Sequence, residues 1–457
     1  QLEDACSVLD AFHVVKLATK VTDDVRRRVQ QELHGHRGRK NDPLYRSRNI
    51  LRAGEENRTE RQRTRLQDAW AADERHIEVE VAFITGPSSR LDSAGLGPPA
   101  QGRGHKSVQC RGAGVRPQRS CLRPGQGGRK VEDVKILLLG GTVFLGSAIA
   151  SRAIARGHDL TCLARGSAEV PDGAAFISRD RERDDGLSVV SRHRWDSVID
   201  LTRQPGQARR AVRELDATHW VFVSSLNVYR AFDRLEQDED SPTVEPLGGD
   251  VMADMTEYGS AKVACEDAVR ARYPSHTIIR SGLIGGAGDW SGRSGYYPWR
   301  FANPSGPEVF VPPDLSFPVA LIDVEDLAAW LLTCAEQRTV GTFNATGVTT
   351  TLSAVLALAQ SVAGSSVPAM AVPDDVLKEA GISSWMGPSS LPLWIDDPSW
   401  RYFATLDTTR ARARGLDTRP LEQTLTAALN YEQERSEPRH TGLTNDDEHR
   451  LRNLSEA

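Results

Sequence analysis

The chain has 457 residues, 39% of them hydrophobic, enough for more than one packed core. Its formal net charge of -5 gives no whole-chain electrostatic case for nucleic acid. The six cysteines form no CxxC pair and have no histidine cluster at zinc spacing, which excludes a metal site read from spacing and fits a reduced, cytoplasmic protein. No apolar run approaches the roughly 20 residues of a membrane helix, and the amino terminus carries no signal-peptide pattern.

Residues 1–83 are charged and read as mostly helical; by charge pattern they form a solvated helical pair. Within them stands Val8-Leu9-Asp10-Ala11-Phe12-His13-Val14-Val15-Lys16, followed by Arg26-Arg27-Arg28-Val29-Gln30-Gln31 and Asp42-Pro43-Leu44-Tyr45. This pattern resembles the segment around the second catalytic Asp of DDE transposases of the IS-element type. The resemblance implies three carboxylates holding two metal ions for phosphodiester chemistry. Asp10 matches one of them; the first would lie upstream of Gln1, and no later Glu stands in a matching context. The segment therefore reads as a truncated, inactive transposase fragment. Residues 84–133 are rich in Gly, Pro and Arg and offer almost nothing to a core, so a disordered linker is expected. A native start near Val134 would remove residues 1–133 from the working protein, which initiation-site mapping would reveal.

From Val134 the pattern turns regularly α/β. The spacing predicts strands over 135–139, 159–163, 175–178, 197–200, 220–224 and 277–280, with helices over 146–155, 207–215 and 258–272. Strands alternating with helices imply a Rossmann-like, doubly wound parallel sheet over 134–280. After Arg280 the alternation breaks up. Residues 281–450 are expected to form mainly a smaller C-terminal substrate lobe. The helix opened by Ile322-Asp323-Val324-Glu325-Asp326-Leu327 returns to the first domain over 322–336, and Gly341-Thr342-Phe343-Asn344 is a short strand.

Gly140-Gly141-Thr142-Val143-Phe144-Leu145-Gly146 joins the first strand to its helix. Such a turn aims backbone N–H groups and a helix dipole at a pyrophosphate. Val143 replaces the middle glycine of the usual fingerprint and adds a side chain where the phosphates would lie. Gly140, Gly141, Thr142, Phe144, Leu145 and Gly146 are the expected cofactor-binding residues. The second strand ends Leu163-Ala164-Arg165-Gly166, with Ala or Arg where NAD enzymes place an acid. A guanidinium forks onto a phosphate, so Arg165 favours NADP(H). Glu169 would serve NAD(H) if its loop folds back, so that choice stays open. Asp180 and Arg181 follow the third strand and would border the adenine.

Ser224-Ser225, with Tyr229 just beyond, and Tyr258-Gly259-Ser260-Ala261-Lys262 complete the set. Hydride exchange at an alcohol carbon needs a group that moves the hydroxyl proton. Tyr258 and Lys262 lie one helical turn apart on one face, where an ammonium favours the ionised form of a phenol. Ser225, at the carboxyl end of a strand, can hydrogen-bond the reacting oxygen. In the smaller lobe, Arg293 and Arg300 could meet a phosphate or carboxylate, and Trp290 or Trp299 could stack on a ring; the bland alternative is that the aromatics simply close the lobe.

In this order the motifs resemble an extended short-chain dehydrogenase/reductase of the NAD-dependent epimerase/dehydratase group, over residues 134–450. The resemblance implies a catalytic triad of Ser225, Tyr258 and Lys262. Arg280-Ser281-Gly282 matches the R-P-G after the sixth strand, with Ser replacing Pro, and Asp323 matches the acid of a V-D-D-like segment. The G-G-T-x-F-L-G form is similar to the atypical branch that includes the chloroplast stem-loop-binding proteins. The expected protein is an NAD(P)-dependent oxidoreductase, epimerase or dehydratase acting on a hydroxyl or keto carbon of a sugar nucleotide or other small metabolite, as a monomer or homodimer. The alternative is a non-catalytic dinucleotide-sensing or RNA-binding protein of the same fold.

Overall fold

The computed structural model describes residues 26, 27, 30, 43–47, 133–166, 170–436, 439 and 441–455. The chain divides into two compact units, Gln1–Gly127 and Gly128–Ala457. In the first, residues 26, 27 and 30 are helical and Pro43–Ser47 is a short helix. Asp10, most of the helical reading of 1–83, and the linker up to residue 132 lie outside the described residues, as does Glu169.

The second unit is built on a seven-stranded parallel sheet. Its strands are β1 (Lys135–Leu139), β2 (Asp159–Ala164), β3 (Ala175–Ser178), β4 (Arg194–Asp200), β5 (Asp216–Ser225), β6 (His276–Ser281) and β7 (Gly341–Ala345). They lie in the order β7-β6-β5-β4-β1-β2-β3. All six predicted strands are present; β4 and β5 begin three and four residues earlier than expected, where Arg194 and Trp195 pair with Asp216 and Ala217.

Ile136 to Leu139 are fully buried because helices cover both faces. Helices α1 (Phe144–Ala155) and α4 (Val324–Gln337) pack on one face; α2 (Pro205–Glu214) and α3 (Tyr258–Arg272) pack on the other. Pro205 starts α2 where a helix has no N–H to lose. The Asp323 carboxylate accepts the Glu325 N–H and caps α4.

The strand expected over 341–344 belongs to this sheet and not to the smaller lobe. The α4 crossover returns the chain to the edge of β6, and Phe343 packs edge-on against Trp330 of α4. A separate hydrophobic core forms the smaller lobe. It joins Leu226, Tyr229 and Phe232, just after β5, to Tyr296, Phe301, Phe310, Trp394 and Phe403.

Under the ends of β5 and β6 lies a buried charge network. Glu266 of α3 accepts from Arg280 Nε and Nη2 at 3.1 and 2.9 Å, from Arg270 at 2.7 Å and from Ser224 Oγ at 2.5 Å. Burial opposes ionisation of Glu266, but the Arg280 and Arg270 guanidiniums and the Ser224 hydroxyl outweigh it and hold its carboxyl below the usual range. The carboxylate therefore contributes stability above its unfolded value of about 4.3 and loses that contribution as pH falls through the lower folded value. Arg280→Met would leave the carboxylate buried without its bidentate partner. It should cost about 3–5 kcal/mol in denaturant unfolding at pH 7, and the deficit against the native protein should shrink as pH falls below 4.

Candidate active site at the carboxyl ends of the central strands

Strand order reverses between β1 and β4, which opens a crevice at their carboxyl ends. The glycine turn lies there. Gly140 has φ +107°, open to glycine at little cost. A Cβ on Gly146 would stand 2.2 Å from the Gly140 carbonyl oxygen, so the turn closes directly on the start of α1. The Gly146 N–H donates to the Val143 carbonyl at 2.9 Å, and Val143 is extended and 56% exposed at the helix N-cap. Thr142 and Leu145 are buried, and Phe144 has φ +36°. A Cβ on Gly288 would meet the Phe144 ring at 3.4 Å, which brings the loop after Leu283–Gly285 up to this turn. Gly141 packs closely on Cys162 and Leu138; Val143, the substituted position of the fingerprint, faces solvent.

Arg165 is exposed beyond β2, and its carbonyl accepts the Ser178 hydroxyl at 3.2 Å. Asp180 is half-buried and accepts the Glu182 N–H. The Arg181 guanidinium turns inward and forks onto Asp200 at the end of β4, at 2.8 and 3.2 Å. Its charge is thus engaged inside the protein.

Lys262 is 3% exposed. Its ammonium donates to the Thr202 carbonyl, just past β4, and to the Val223 carbonyl in β5, both at 2.7 Å. It also lies 4.9 Å from the Phe222 ring centroid and 5.9 Å from that of Tyr258. The amine thereby ties α3 to the ends of two strands. Tyr258, the first residue of α3, is half-buried. Ser225, the last residue of β5, accepts the Asn227 N–H and donates its own proton to Asn227 Oδ1 at 2.9 Å.

A Cβ on Gly259 would come within 2.2 Å of the Asn227 carbonyl oxygen, so the start of α3 presses against the turn that follows Ser225. The fold thus brings Ser225, Tyr258 and Lys262 to one end of the sheet. Sequence reasoning missed Asn227, Gly259 and the Thr202 carbonyl. Only the glycine beside Tyr258 carried a signal, that of close backbone approach.

Tyr229 is different in kind. Its hydroxyl donates to Asn344 Oδ1 at 2.6 Å, and burial pushes its phenol up to about 12 against the pull of Arg280. Burial likewise pushes the thiols of Cys162, Cys265 and Cys334 up to about 12, which removes them as thiolate nucleophiles. Among the described residues, no group of three His, Cys, Asp or Glu could hold a metal ion, and no helix is long and apolar enough to cross a membrane.

The predicted substrate residues occupy the smaller lobe and are not all alike. Trp290 is 60% exposed, and its carbonyl accepts from Arg435. The Trp299 ring has the Arg439 guanidinium 3.7 Å from its centroid, so a contact proposed for a substrate is made by the chain itself. Arg300 is buried in an ion pair with Glu448 and donates to the Leu443 carbonyl. Arg293 lies 4.9 Å from the Trp385 ring centroid and donates to Ser291 Oγ at 3.2 Å.

Residues 136–345 match the model of the NAD dependent epimerase/dehydratase family. Residues 1–85 match a transposase family of the ISL3 type. The epimerase/dehydratase segment sits in a fold similar to a protein described as an epimerase from Burkholderia cenocepacia J2315, at 20% identity over 66% of this chain and 99% of that one, with a TM-score of 0.50. Similar too are the UDP-glucose 4-epimerase of Thermotoga maritima (18% identity, 65% and 98% covered, TM-score 0.49) and the Bordetella bronchiseptica enzyme WbmH in complex with NAD+ (17%, 66% and 100%, TM-score 0.48). At these identities the likeness is one of fold. No curated protein matches the chain.

Gly259→Ala should destabilise the protein by about 1–3 kcal/mol, since the clash is with backbone that cannot rotate away. Gly248→Ala, where an added Cβ meets nothing within 4 Å, should be close to neutral in the same denaturation assay.

Proposed function

We propose that the second unit is an NAD(P)-dependent oxidoreductase, epimerase or dehydratase acting at a hydroxyl or keto carbon. The observation that carries this reading is the Lys262 ammonium, buried beside the Tyr258 ring and fixed by the Thr202 and Val223 carbonyls. An ammonium has three N–H bonds; the two to Thr202 and Val223 leave one for a ribose hydroxyl. Gly140, Gly141, Thr142, Phe144, Leu145 and Gly146 would hold the diphosphate, and Arg165 would take the 2′-phosphate of NADP(H). Asp180 and Arg181 border the adenine in this reading, Arg181 through its backbone.

The nicotinamide, when bound, supplies the hydride acceptor or donor. Tyr258, beside the Lys262 ammonium, moves the proton of the substrate hydroxyl. Ser225 holds the reacting oxygen, and Asn227 fixes the Ser225 hydroxyl until substrate arrives. A dinucleotide sensor or RNA-binding protein would gain nothing from a buried ammonium beside a phenol. The transposase-like segment is read as inactive, and the substrate is a small molecule such as a sugar nucleotide.

Two measurements test the reading on the full chain. At a hundred times its Kd, a coenzyme should stabilise the protein by about 2.7 kcal/mol, and NADPH should raise the melting temperature more than NADH. Equal or greater protection by NADH overturns the role of Arg165. In a metabolite screen that follows the absorbance of reduced nicotinamide, Tyr258→Phe should lower turnover by about 10²–10⁴-fold and leave coenzyme protection intact. Full activity in that variant removes Tyr258 from its role.

A further inference from the structure

Residues 247–257, which lead into α3, form a strap that the chemistry above does not use. Gly248 and Gly249 give it no side chains to pack, Val251 and Met255 are exposed, and of its large apolar side chains only Met252 is buried. Hydrogen bonds to α2 hold it instead. The Arg209 guanidinium donates through Nη2 to the Leu247 carbonyl at 3.1 Å, and through Nη1 to the Gly249 carbonyl at 3.0 Å and Asp250 Oδ1 at 2.6 Å. The Gly206 N–H donates to the Asp250 carbonyl at 2.7 Å. A Cβ on Gly206 would stand 2.8 Å from Asp250 Cβ and 3.0 Å from that carbonyl oxygen, so the close approach needs a glycine in α2. Gln204 Oε1 accepts the Met252 N–H at 2.9 Å.

Both ends of the strap reach the turn of α3 that carries Tyr258. At one end the Leu247 N–H donates to the Ser260 carbonyl at 2.9 Å, two residues past the phenol. At the other, the Asp254 carboxylate accepts the Thr256 N–H at 2.8 Å and caps the short helical turn Met255–Glu257, which runs directly into Tyr258. The Glu257 carboxylate reaches back to accept the Ala253 N–H at 2.7 Å. Arg209 and Gln204 hold the stretch between. Gln204 and Gly206 also lie just past Thr202, whose carbonyl receives the Lys262 ammonium. One short segment at the end of β4 therefore receives both the amine of α3 and the strap that leads into it.

We propose that Arg209 is a positioning residue for Tyr258, acting through this strap. Its charge is the lesser part of that role. The Asp250 carboxylate is 71% exposed, so the ion pair is screened and worth little. Its reach is the greater part, because one planar fork spans two backbone carbonyls. A cavity of about 360 Å³ lies here, walled in part by Gln207, Arg209 and Arg213 of α2 and by Asp250 and Val251 of the strap. Strap and helix are thus joined at this point by the guanidinium and not by packed side chains. Arg209 is itself 37% exposed, so its loss frees the strap without emptying a core. The effect on turnover rests on the enzyme reading above; the effect on the place of the phenol does not.

The test uses the full chain labelled with fluorotyrosine, whose fluorine resonances report the surroundings of each phenol; Tyr258→Phe assigns the one that matters. Arg209→Ala should shift or broaden the Tyr258 resonance and leave in place those of Tyr296 and Tyr297, which are buried in the core of the smaller lobe. In the reaction found by the metabolite screen, it should lower kcat by about tenfold to a hundredfold, the loss that a small misplacement of a reacting group brings, with the KM for coenzyme unchanged. Arg209→Lys keeps the charge but cannot span the two carbonyls. It should move the same resonance with a smaller loss of kcat, and it carries the test if the alanine variant fails to fold. Arg213→Ala removes an equal charge from the same helix and the same cavity wall, but Arg213 is 66% exposed and pairs with its neighbour Glu214, so neither readout should change. A Tyr258 resonance unmoved in both Arg209 variants, an equal response to Arg213→Ala, or a moved resonance with full kcat overturns the inference. Absence of turnover in the native protein would sink the enzyme reading instead, and the resonance would still decide whether Arg209 places the phenol.

Discussion

The site depends on one buried cation. Lys262 carries its charge 97% out of solvent, and no carboxylate lies within ion-pair distance among the described residues. Two carbonyl dipoles and two aromatic faces hold it. An isolated charge in such a place would be costly. Its presence is tolerated because the carboxyl ends of β4 and β5 point lone pairs at the same spot, a direct result of parallel pairing. The amine in return fixes the height and rotation of α3. Tyr258 and the closely packed Gly259 follow from that placement, as does the contact with the turn after Ser225.

Beneath this cation, the Glu266 network gives the same helix a second anchor. Glu266 lies one turn beyond Lys262, so the same face of α3 carries first an ammonium and then a carboxylate. The ammonium reaches up to carbonyl groups, and the carboxylate reaches down to Arg280 and Ser224. Ser224 and Ser225 point to opposite sides of β5, as strand geometry requires. One is therefore held by Glu266, and the other is free to face the turn at Asn227. A one-residue slip of β5 would exchange these roles, which the ion pair with Arg280 on the neighbouring strand resists.

Most of this frame was legible in the sequence, because continuous apolar runs and a glycine turn leave little choice to a parallel sheet. Lys135-Ile136-Leu137-Leu138-Leu139 can only be a strand covered on both faces, and Tyr258 to Arg272 is helical to the residue. The edge strand at Gly341 was harder to place. Its residues Gly-Thr-Phe-Asn carry no clear core pattern, and its place in the sheet comes from the α4 crossover. Arg181 shows the other limit. Its sequence position next to β3 suggested the adenine, and nothing local announced that Asp200, nineteen residues away, would take the guanidinium. Partners distant in sequence decide where a long side chain points.

The same limit explains why Arg293 stands apart from Trp290 and Trp299, although all three lie in one short stretch. Trp299 and Arg300 are drawn into contacts with Arg439 and Glu448, supplied by the final fifty residues of the described chain. Trp290 projects into solvent. Arg293 is turned by the Asp289 turn, whose two serines take up both carboxylate oxygens and deny the arginine its nearest anion. Its guanidinium lies over the Trp385 ring instead, and that ring packs edge-on against Phe403, which packs in turn on Phe232, so contacts distant in sequence again decide where the long side chain rests.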